Sequence, residues 1–265
     1  MEYRKHPLTG EWIIHQRQLK EPFQASDLCT SFLWNGACIP LHKKLRSTPM
    51  QNMTRSDFAE LFDAYFDWVK NVRSVAPQAC IPSILDPHAG VILYDEPVRM
   101  IVAPADDIFA DVSIKRARSF HTEHKRCLWC EMIDQELSCA ERIVESNDDF
   151  IVFEPYAARF PFETYIVPIR HIHSFISTPA LLIDALARLC AKWIPVIHDV
   201  SGKADFAFFL HHVATPCGYE DYLHWYIQVV PFMNTWAGFE IATAMNINVT
   251  TPESCVLKIS QKIHK

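Results

Sequence analysis

The chain has 265 residues, of which 49% are hydrophobic and 21% are charged, and its formal net charge at pH 7 is −6. This composition is typical of a globular protein that buries a core in one large domain or two small ones, and it excludes a disordered chain. With a pI near 6.1 the sequence offers no basic field, so we expect no nucleic-acid partner, whereas local groups could bind a small phosphorylated ligand.

Cysteine and histidine usage points to the cytoplasm and to metal or phosphate chemistry. The nine cysteines are an odd number, and the polar start MEYRKHPLTG lacks the apolar stretch of a signal peptide, so a reducing cytoplasm is expected. No uncharged apolar run approaches the roughly 18 residues of a membrane helix, and no membrane partner is expected. The thirteen histidines include three close pairs, which are His121 and His124, His171 and His173, and His211 and His212.

The first half is predicted to be irregular up to about residue 55. Ser56 then caps an amphipathic helix whose apolar residues recur at i, i+3, i+4 and i+7, namely Phe58, Leu61, Phe62, Tyr65, Phe66 and Val69. A proline-punctuated stretch, residues 77–104, carries the sequence SILDPHAGV and a short strand over residues 90–94. The charged residues 115–126 are interpreted as a connector between two halves.

The second half has more regular patterns. Strands are predicted over residues 149–153, 164–167, 206–210 and 223–232. A helix over residues 179–193 lies between the second and third of them, with Ser177 or Thr178 as its cap and Pro179 in its first turn. The sequence therefore predicts an α+β fold, an antiparallel sheet with packed helices.

The sequence Cys127-Leu-Trp-Cys130 is consistent with a zinc knuckle, a redox pair or two unrelated core thiols. The absence of a thioredoxin-like βαβ pattern disfavours the redox pair. His171, just after the second strand, and His224, within the last one, would complete a Cys2His2 set. Four such ligands form a closed tetrahedral site, which is structural, although each histidine alone is also consistent with a satisfied, partly buried residue.

Several stretches together resemble the galactose-1-phosphate uridylyltransferases of the histidine-triad superfamily. They are YRKHPLTGEWIIH, HKKLRSTP and SILDPHAGV in the first half, and CLWCEM, ERIVESNDDFIVFEPYAARFPFETYIVPIRH, LHWYIQVVPF and WAGFEIATAMNINVTTPE in the second. The resemblance implies two related histidine-triad-like halves, a reduced one over residues 1–115 and one with a zinc knuckle over residues 116–265. It also implies structural zinc at Cys127, Cys130, His171 and His224, and a homodimer.

The same resemblance implies a catalytic residue. SILDPHAGV falls on the family's Ser-Leu-x-His-Pro-His-Ser-Gln-Ile motif, which makes His88 the counterpart of the nucleophile. A nucleoside diphosphate sugar would give a nucleotidyl-histidine, and an acceptor phosphate would then reverse the step, in a ping-pong scheme. Asp86 stands for the motif's first histidine and Gly90 for its glutamine. Asp86 and the amides of Ala89 and Gly90 are accordingly the expected substrate-binding groups.

Other departures from the family pattern leave alternatives open. In the second half His224 keeps the first place of His-x-His and Tyr226 takes the second, so this half is interpreted as a scaffold. A first-half metal site could use Cys29, Cys38, His42 and Asp86, and a different second-half set could use Glu136, His212 and His224.

Three functions compete on this evidence. The first is a nucleotidyltransferase of carbohydrate metabolism, acting on a UDP-hexose or an ADP-sugar through His88. The second is a zinc-stabilised nucleotide-binding or scaffold protein without turnover. The third is a histidine-triad hydrolase or phosphorylase, in which water or inorganic phosphate replaces the sugar phosphate.

Overall fold

A six-stranded antiparallel sheet organises the described part of the chain. The structure is a computed structural model that describes residues 2–5, 12–15, 48–75, 91–93, 108–211, 220–233, 237–243 and 245–263. The strands are β3 (Val91–Leu93), β4 (Ile143–Ser146), β5 (Phe150–Phe153), β6 (Thr164–Pro168), β7 (Phe206–His211) and β8 (Tyr226–Pro231). Their order across the sheet is β3-β7-β8-β6-β5-β4. A separate two-stranded sheet pairs β1 (Glu2–Lys5) with β2 (Trp12–His15).

Six α-helices accompany the strands in the described part of the chain: α1 (Arg55–Val75), α2 (Ile108–His124), α3 (Leu128–Cys139), α4 (Ala180–Val200), α5 (Gly238–Thr243) and α6 (Pro252–Ile263). The cap of α1 is Thr54 rather than the predicted Ser56. Thr54 and Asp57 bond each other reciprocally, with the backbone N–H of Asp57 donating to the Thr54 hydroxyl at 3.3 Å and the Thr54 N–H to the Asp57 carboxylate at 2.9 Å.

The sheet buries a different core on each face. On one face α1, α4 and α6 cover alternate residues of the strands, for example Phe206, Phe208 and Leu210 of β7. The predicted aromatic stripe of α1 belongs to this core, since Phe58, Phe62 and Tyr65 are at most 3% exposed. On the other face α3 packs Ile133 and Trp129 against Ile151, Phe153, Val167 and Tyr226.

The predicted fold class is confirmed, but several elements differ from the sequence interpretation. Residues 115–126 were predicted as a connector, yet most of them form α2, a charged helix in which Ala117 is a buried residue. Helix α4 continues to Val200 although Pro195 lies inside it. Its N-cap is Pro179, because Ser177 and Thr178 instead direct their hydroxyls to the carbonyl of Ser174.

No helix in the described ranges is both long enough and apolar enough to cross a bilayer.

Candidate metal centre and functional site

Four side chains that are distant in sequence converge at one edge of the sheet. The ligand atoms of Cys127, Cys130, His171 and His224 all lie within 4.8 Å of one another. The Cys130 Sγ is 3.3 Å from Nδ1 of His171 and 3.8 Å from Nδ1 of His224. Within the described ranges this is the sole cluster of three or more His, Cys, Asp and Glu groups with metal-ligand spacing.

The two cysteines are placed by the start of helix α3. Cys127 is the N-cap, with extended backbone at φ −69° and ψ 132°, and the helix begins at the next residue. Cys130 follows within the first turn, so both sulfur atoms reach the same point. The partial positive charge of a helix N-terminus favours a thiolate over a thiol. The C-x-x-C spacing therefore brings two sulfur ligands together at the N-terminus of α3.

The two histidines come from the ends of neighbouring strands. Strands β6 and β8 are antiparallel, with Ile166 opposite Ile227, so the end of β6 lies beside the start of β8. His171 follows β6, and His224 lies just before β8, not within the strand as the sequence suggested. The backbone N–H of Trp225 donates to the carbonyl of Ile172 at 3.0 Å and holds the two segments together.

Backbone carbonyls fix the orientation of both imidazole rings. Nε2 of His171 donates to the carbonyl of Glu220 at 2.8 Å, and Nε2 of His224 donates to that of Pro168 at 2.9 Å. Because a carbonyl only accepts, each Nε2 carries the proton and each Nδ1 directs its lone pair toward the sulfur atoms. This is the arrangement that orients metal-binding histidines in proteins.

The four groups also perturb one another electrostatically. The hydrogen bond with Cys130 lowers the pKa of Cys127 against the opposing effect of burial, and His171 and His224 lower it further. The pairing with Cys127 raises the pKa of Cys130, as does burial. Cys127 in turn raises the pKa of His171 against an opposing contribution from desolvation. A metal cation bound among these groups would compete with protons for the same sulfur and nitrogen atoms.

The donor set and its spacing fit zinc. Zn–S bonds of about 2.3 Å and Zn–N bonds of about 2.0 Å at tetrahedral angles separate the ligand atoms by about 3.3 to 3.8 Å. Two of the observed separations are 3.3 and 3.8 Å, and none exceeds 4.8 Å. Closing around the ion would need shifts of about 1 Å, and four protein ligands would leave no position open for substrate.

Most of the other predicted site residues fall in parts of the chain that the structure does not describe. His88, Asp86, Ala89 and Gly90 lie outside the described residues, as do Cys29, Cys38, His42 and His212. Of the alternative second-half metal set, Glu136 is described, and its carboxylate accepts hydrogen bonds from the Arg142 guanidinium at 3.2 and 3.1 Å. That ion pair gives Glu136 a structural partner away from the Cys2His2 cluster.

The amino-acid sequence is similar to those of several known enzymes. No protein-family profile matches the sequence. ADP-glucose phosphorylase of Arabidopsis thaliana is 22% identical over 233 residues, which are 84% of this chain and 64% of that protein. Galactose-1-phosphate uridylyltransferase of Thermotoga maritima is 24% identical over 57% of this chain and 49% of that protein. The Hypocrea jecorina uridylyltransferase is 32% identical over 35% of this chain and 22% of its own length. This chain is thus similar, at low identity, to galactose-1-phosphate uridylyltransferases and to ADP-glucose phosphorylase.

Solved structures with a similar fold include an ADP-glucose phosphorylase and a uridylyltransferase. The structure of the A. thaliana ADP-glucose phosphorylase with bound ADP-glucose has a TM-score of 0.64 at 18% identity, over 81% of this chain and 69% of that one. A uridylyltransferase structure has a TM-score of 0.71 at 16% identity, over 100% of this chain and 99% of that one. The chain spans less than two thirds of the length of the plant and Thermotoga proteins to which its sequence is similar.

Tyr226 occupies the place that the family motif gives to a second histidine in the second half. Its ring is stacked on His211 at a centroid distance of 4.4 Å and lies 4.1 Å from the ring of Trp129. Burial raises the pKa of Tyr226. The phenol is therefore neutral and enclosed by aromatic rings, an environment that suits a core residue and not a nucleophile.

A buried polar chain next to Tyr226 was missed from sequence. The Glu163 carboxylate accepts hydrogen bonds from the Gln228 amide at 2.6 Å and from the Tyr165 hydroxyl at 3.2 Å. Because a carboxylate only accepts, the Gln228 oxygen points the other way and accepts from Nε2 of His211 at 2.9 Å. Polar side chains at every second position from His224 to Gln228 are the signal that could have revealed it.

The hydrogen-bonded network around Glu163 also accounts for the conformation of the RFPFE stretch, residues 159–163. Phe162 is buried in the left-handed region at φ 59°, an uncommon conformation for a bulky residue. The turn brings the backbone N–H of Arg159 to the Glu163 carboxylate at 2.6 Å. The turn therefore positions the buried Glu163 carboxylate, and the hydrogen bond from Arg159 to that carboxylate helps to hold the strained backbone at Phe162.

Proposed function

We propose that this chain catalyses nucleotidyl transfer from a nucleoside diphosphate sugar to a phosphate acceptor. The observation that carries the proposal is the match to ADP-glucose phosphorylase over 84% of the chain, together with matches to three or more galactose-1-phosphate uridylyltransferases. The fold shared with a structure that contains ADP-glucose supports a nucleotide-sugar ligand. In the scheme proposed below, a uridylyltransferase and a phosphorylase both break the bond between the α-phosphorus and the bridging oxygen of the nucleotide sugar. The proposal is therefore limited to nucleotidyl transfer.

In the proposed reaction the nucleophile is His88. A ring nitrogen attacks the α-phosphorus of the nucleotide sugar, the bond from that phosphorus to the bridging oxygen breaks, and the sugar 1-phosphate leaves. An oxygen of the acceptor phosphate then attacks the nucleotidyl-histidine, and the imidazole is regenerated. The amides of Ala89 and Gly90 would stabilise the charge that develops on the phosphate, in place of the family's glutamine side chain. Asp86 would orient the imidazole from the position of the first motif histidine.

The acceptor separates two forms of this activity. A sugar 1-phosphate acceptor gives a uridylyltransferase-type exchange, which is the function we propose first. Inorganic phosphate gives a phosphorylase, and the similarity to ADP-glucose phosphorylase over 84% of this chain favours that second candidate.

Mass analysis under denaturing conditions tests the nucleophile. After exposure of the full chain to UDP-glucose or ADP-glucose, we expect a mass increase of one nucleotidyl group, lost again when galactose 1-phosphate or inorganic phosphate is added. His88→Ala should abolish the adduct. Tyr226→Phe is the matched control, since it alters the corresponding place of the second half and should retain the adduct. Saturable nucleotide binding with no adduct in the unmodified chain would contradict the transferase and leave the scaffold function.

We further propose that the ion held by the Cys2His2 cluster is zinc and that it is structural. The closed donor set supports this assignment, and the metal would fix the start of α3 to the strand ends of β6 and β8. Reduced thiols as ligands agree with the proposed cytoplasmic location. The division into halves at residue 115 stays a prediction.

A homodimer is the proposed assembly, and the apolar segment from residue 232 to residue 249 supports it. Seven large apolar side chains of this segment are 41% to 74% exposed: Phe232, Met233, Phe239, Ile241, Met245, Ile247 and Val249. Helix α5 lies within the segment and has no buried residue. A six-residue helix without a packed face is marginal in water, so a partner surface would account for both observations.

A charge placed in this segment tests the dimer. Ile241 is 70% exposed, and Ile241→Lys should raise the dimer dissociation constant at least tenfold in sedimentation equilibrium, because a lysine would be desolvated in the interface. Leu181→Lys is the control, because Leu181 is 85% exposed in the first turn of α4 and does not belong to the segment. A monomeric unmodified chain at micromolar concentration, or equal effects of the two substitutions, would contradict the assignment.

A further inference from the structure

A buried carboxyl group lies between strand β5 and the helix α6. Glu154 directly follows β5 and has no exposed surface. Its backbone N–H donates to the carbonyl of Arg142 at 3.0 Å. Neither carboxyl oxygen has a hydrogen-bond partner in the described part of the chain. An ionised carboxylate without partners is among the most costly groups to bury, so the site requires an explanation.

The groups around Glu154 favour the protonated acid. From α6 it faces the fully buried thiol of Cys255 and the carboxylate of Glu253, and from the turn before β6 it faces Glu163. The neighbouring cations are engaged elsewhere. The Arg142 guanidinium bonds Glu136 and Glu253, and the Lys258 ammonium lies 5.8 Å from the Phe162 ring.

Together, these surroundings raise the pKa of Glu154. The pKa of Glu154 is raised to about 9, chiefly by burial and to a smaller extent by Glu163 and Glu253, while the Cys255 thiol opposes the increase. Burial likewise raises the pKa of Cys255 to about 12. At neutral pH both groups are therefore uncharged, and a carboxylic acid and a thiol can share the interior of the protein.

We propose that Glu154 and Cys255 form a pH-sensitive latch that holds α6 against the sheet while Glu154 is a neutral acid and releases α6 when Glu154 ionises. The other contacts of α6 make a local release possible. Cys255 and Ile259 reach the core, whereas the ion pairs of Glu253 with Arg142 and of Lys262 with Asp199 are partly exposed. Opening the helix exposes Glu154 to water, which favours its charged form. The latch is independent of the transferase proposal.

The sign of the effect follows from proton linkage. When α6 is open, Glu154 has an ordinary pKa of about 4.3, and when it is closed the group keeps its proton up to a much higher pH. The closed state binds more protons, so its stability is fully present below about pH 4.3 and falls as pH rises toward the closed-state pKa. The opening equilibrium constant should rise about tenfold per pH unit, hence about a hundredfold between pH 5 and pH 7.

Hydrogen exchange on the full, metal-loaded chain tests the latch. After correction for intrinsic exchange rates, the protection of α6 amides should fall about tenfold per pH unit from pH 5 to pH 8, while α4 amides serve as the internal reference. In Glu154→Gln this slope should vanish in α6. If the side-chain amide of Glu154→Gln disrupts folding, Glu154→Met introduces an apolar side chain of similar size, and the pH slope of α6 should vanish in that variant too.

Two results would overturn the proposal. One is a carboxyl carbon resonance of Glu154 that titrates near the ordinary value in the unmodified chain, followed by NMR. The other is a pH slope that is equal in α6 and α4, because global unfolding would then replace local release.

Discussion

Cys130→Ser should release the bound metal and lower the stability of the whole fold. Serine replaces a sulfur ligand with a hydroxyl that zinc binds poorly, and three remaining ligands hold the ion weakly. At free zinc about 1,000 times the dissociation constant, a bound ion stabilises the folded state by about 4 kcal/mol, and most of this should be lost. Metal analysis by mass spectrometry and urea unfolding measure the two consequences on one sample.

Helix α3 supplies its own control for that substitution. Cys139 is exposed at the end of the same helix, so Cys139→Ser should keep one zinc per chain and the unfolding midpoint of the unmodified protein. A chelator should lower the midpoint of the unmodified chain to that of Cys130→Ser and leave Cys130→Ser unchanged. Full zinc occupancy in Cys130→Ser would remove this cysteine from the ligand set.

The sequence predicted the metal cluster better than it predicted the helices around it. Cys127 and Cys130 share a spacing that has few chemical explanations, and the strand pattern put His171 just after one strand and His224 within another. The orienting carbonyls of Pro168 and Glu220 could not be foreseen, because they depend on the strand register and on the conformation of the chain before β8.

Helices α2 and α3 were missed for a different reason. Among the residues of α2 whose burial is described, Ala117 is the buried one, so the helix carries a weak apolar period. Helix α3 has two buried residues, Ile133 and Glu136, and one of them is acidic. A buried glutamate that needs an arginine from elsewhere in the chain leaves no signal in local periodicity, since the compensation is purely tertiary.

The buried ion pair between Arg142 and Glu136 predicts a second large loss of stability when it is broken. The side chains of Arg142 and Glu136 are only 11% and 7% exposed, and Arg142 also bonds Glu253 of α6 at 3.1 Å. Arg142→Met would leave the Glu136 carboxylate buried without its cation, and the second oxygen of Glu136 already has no hydrogen-bond partner among the described residues. Removing one partner of a buried pair costs about 3 to 5 kcal/mol, and urea unfolding should show a loss of that size.

Two further variants separate the charge effect from simple loss of packing. Arg188→Met removes an exposed arginine that pairs with Asp184 on the surface of α4, and it should cost less than about 1 kcal/mol. Adding Glu136→Gln to Arg142→Met removes the uncompensated charge, so the double variant should recover more than half of the lost stability. If the double variant is as unstable as Arg142→Met alone, the loss comes from the arginine's contacts with Glu253 and the Tyr156 ring, and Arg142 acts on α6 rather than on α3.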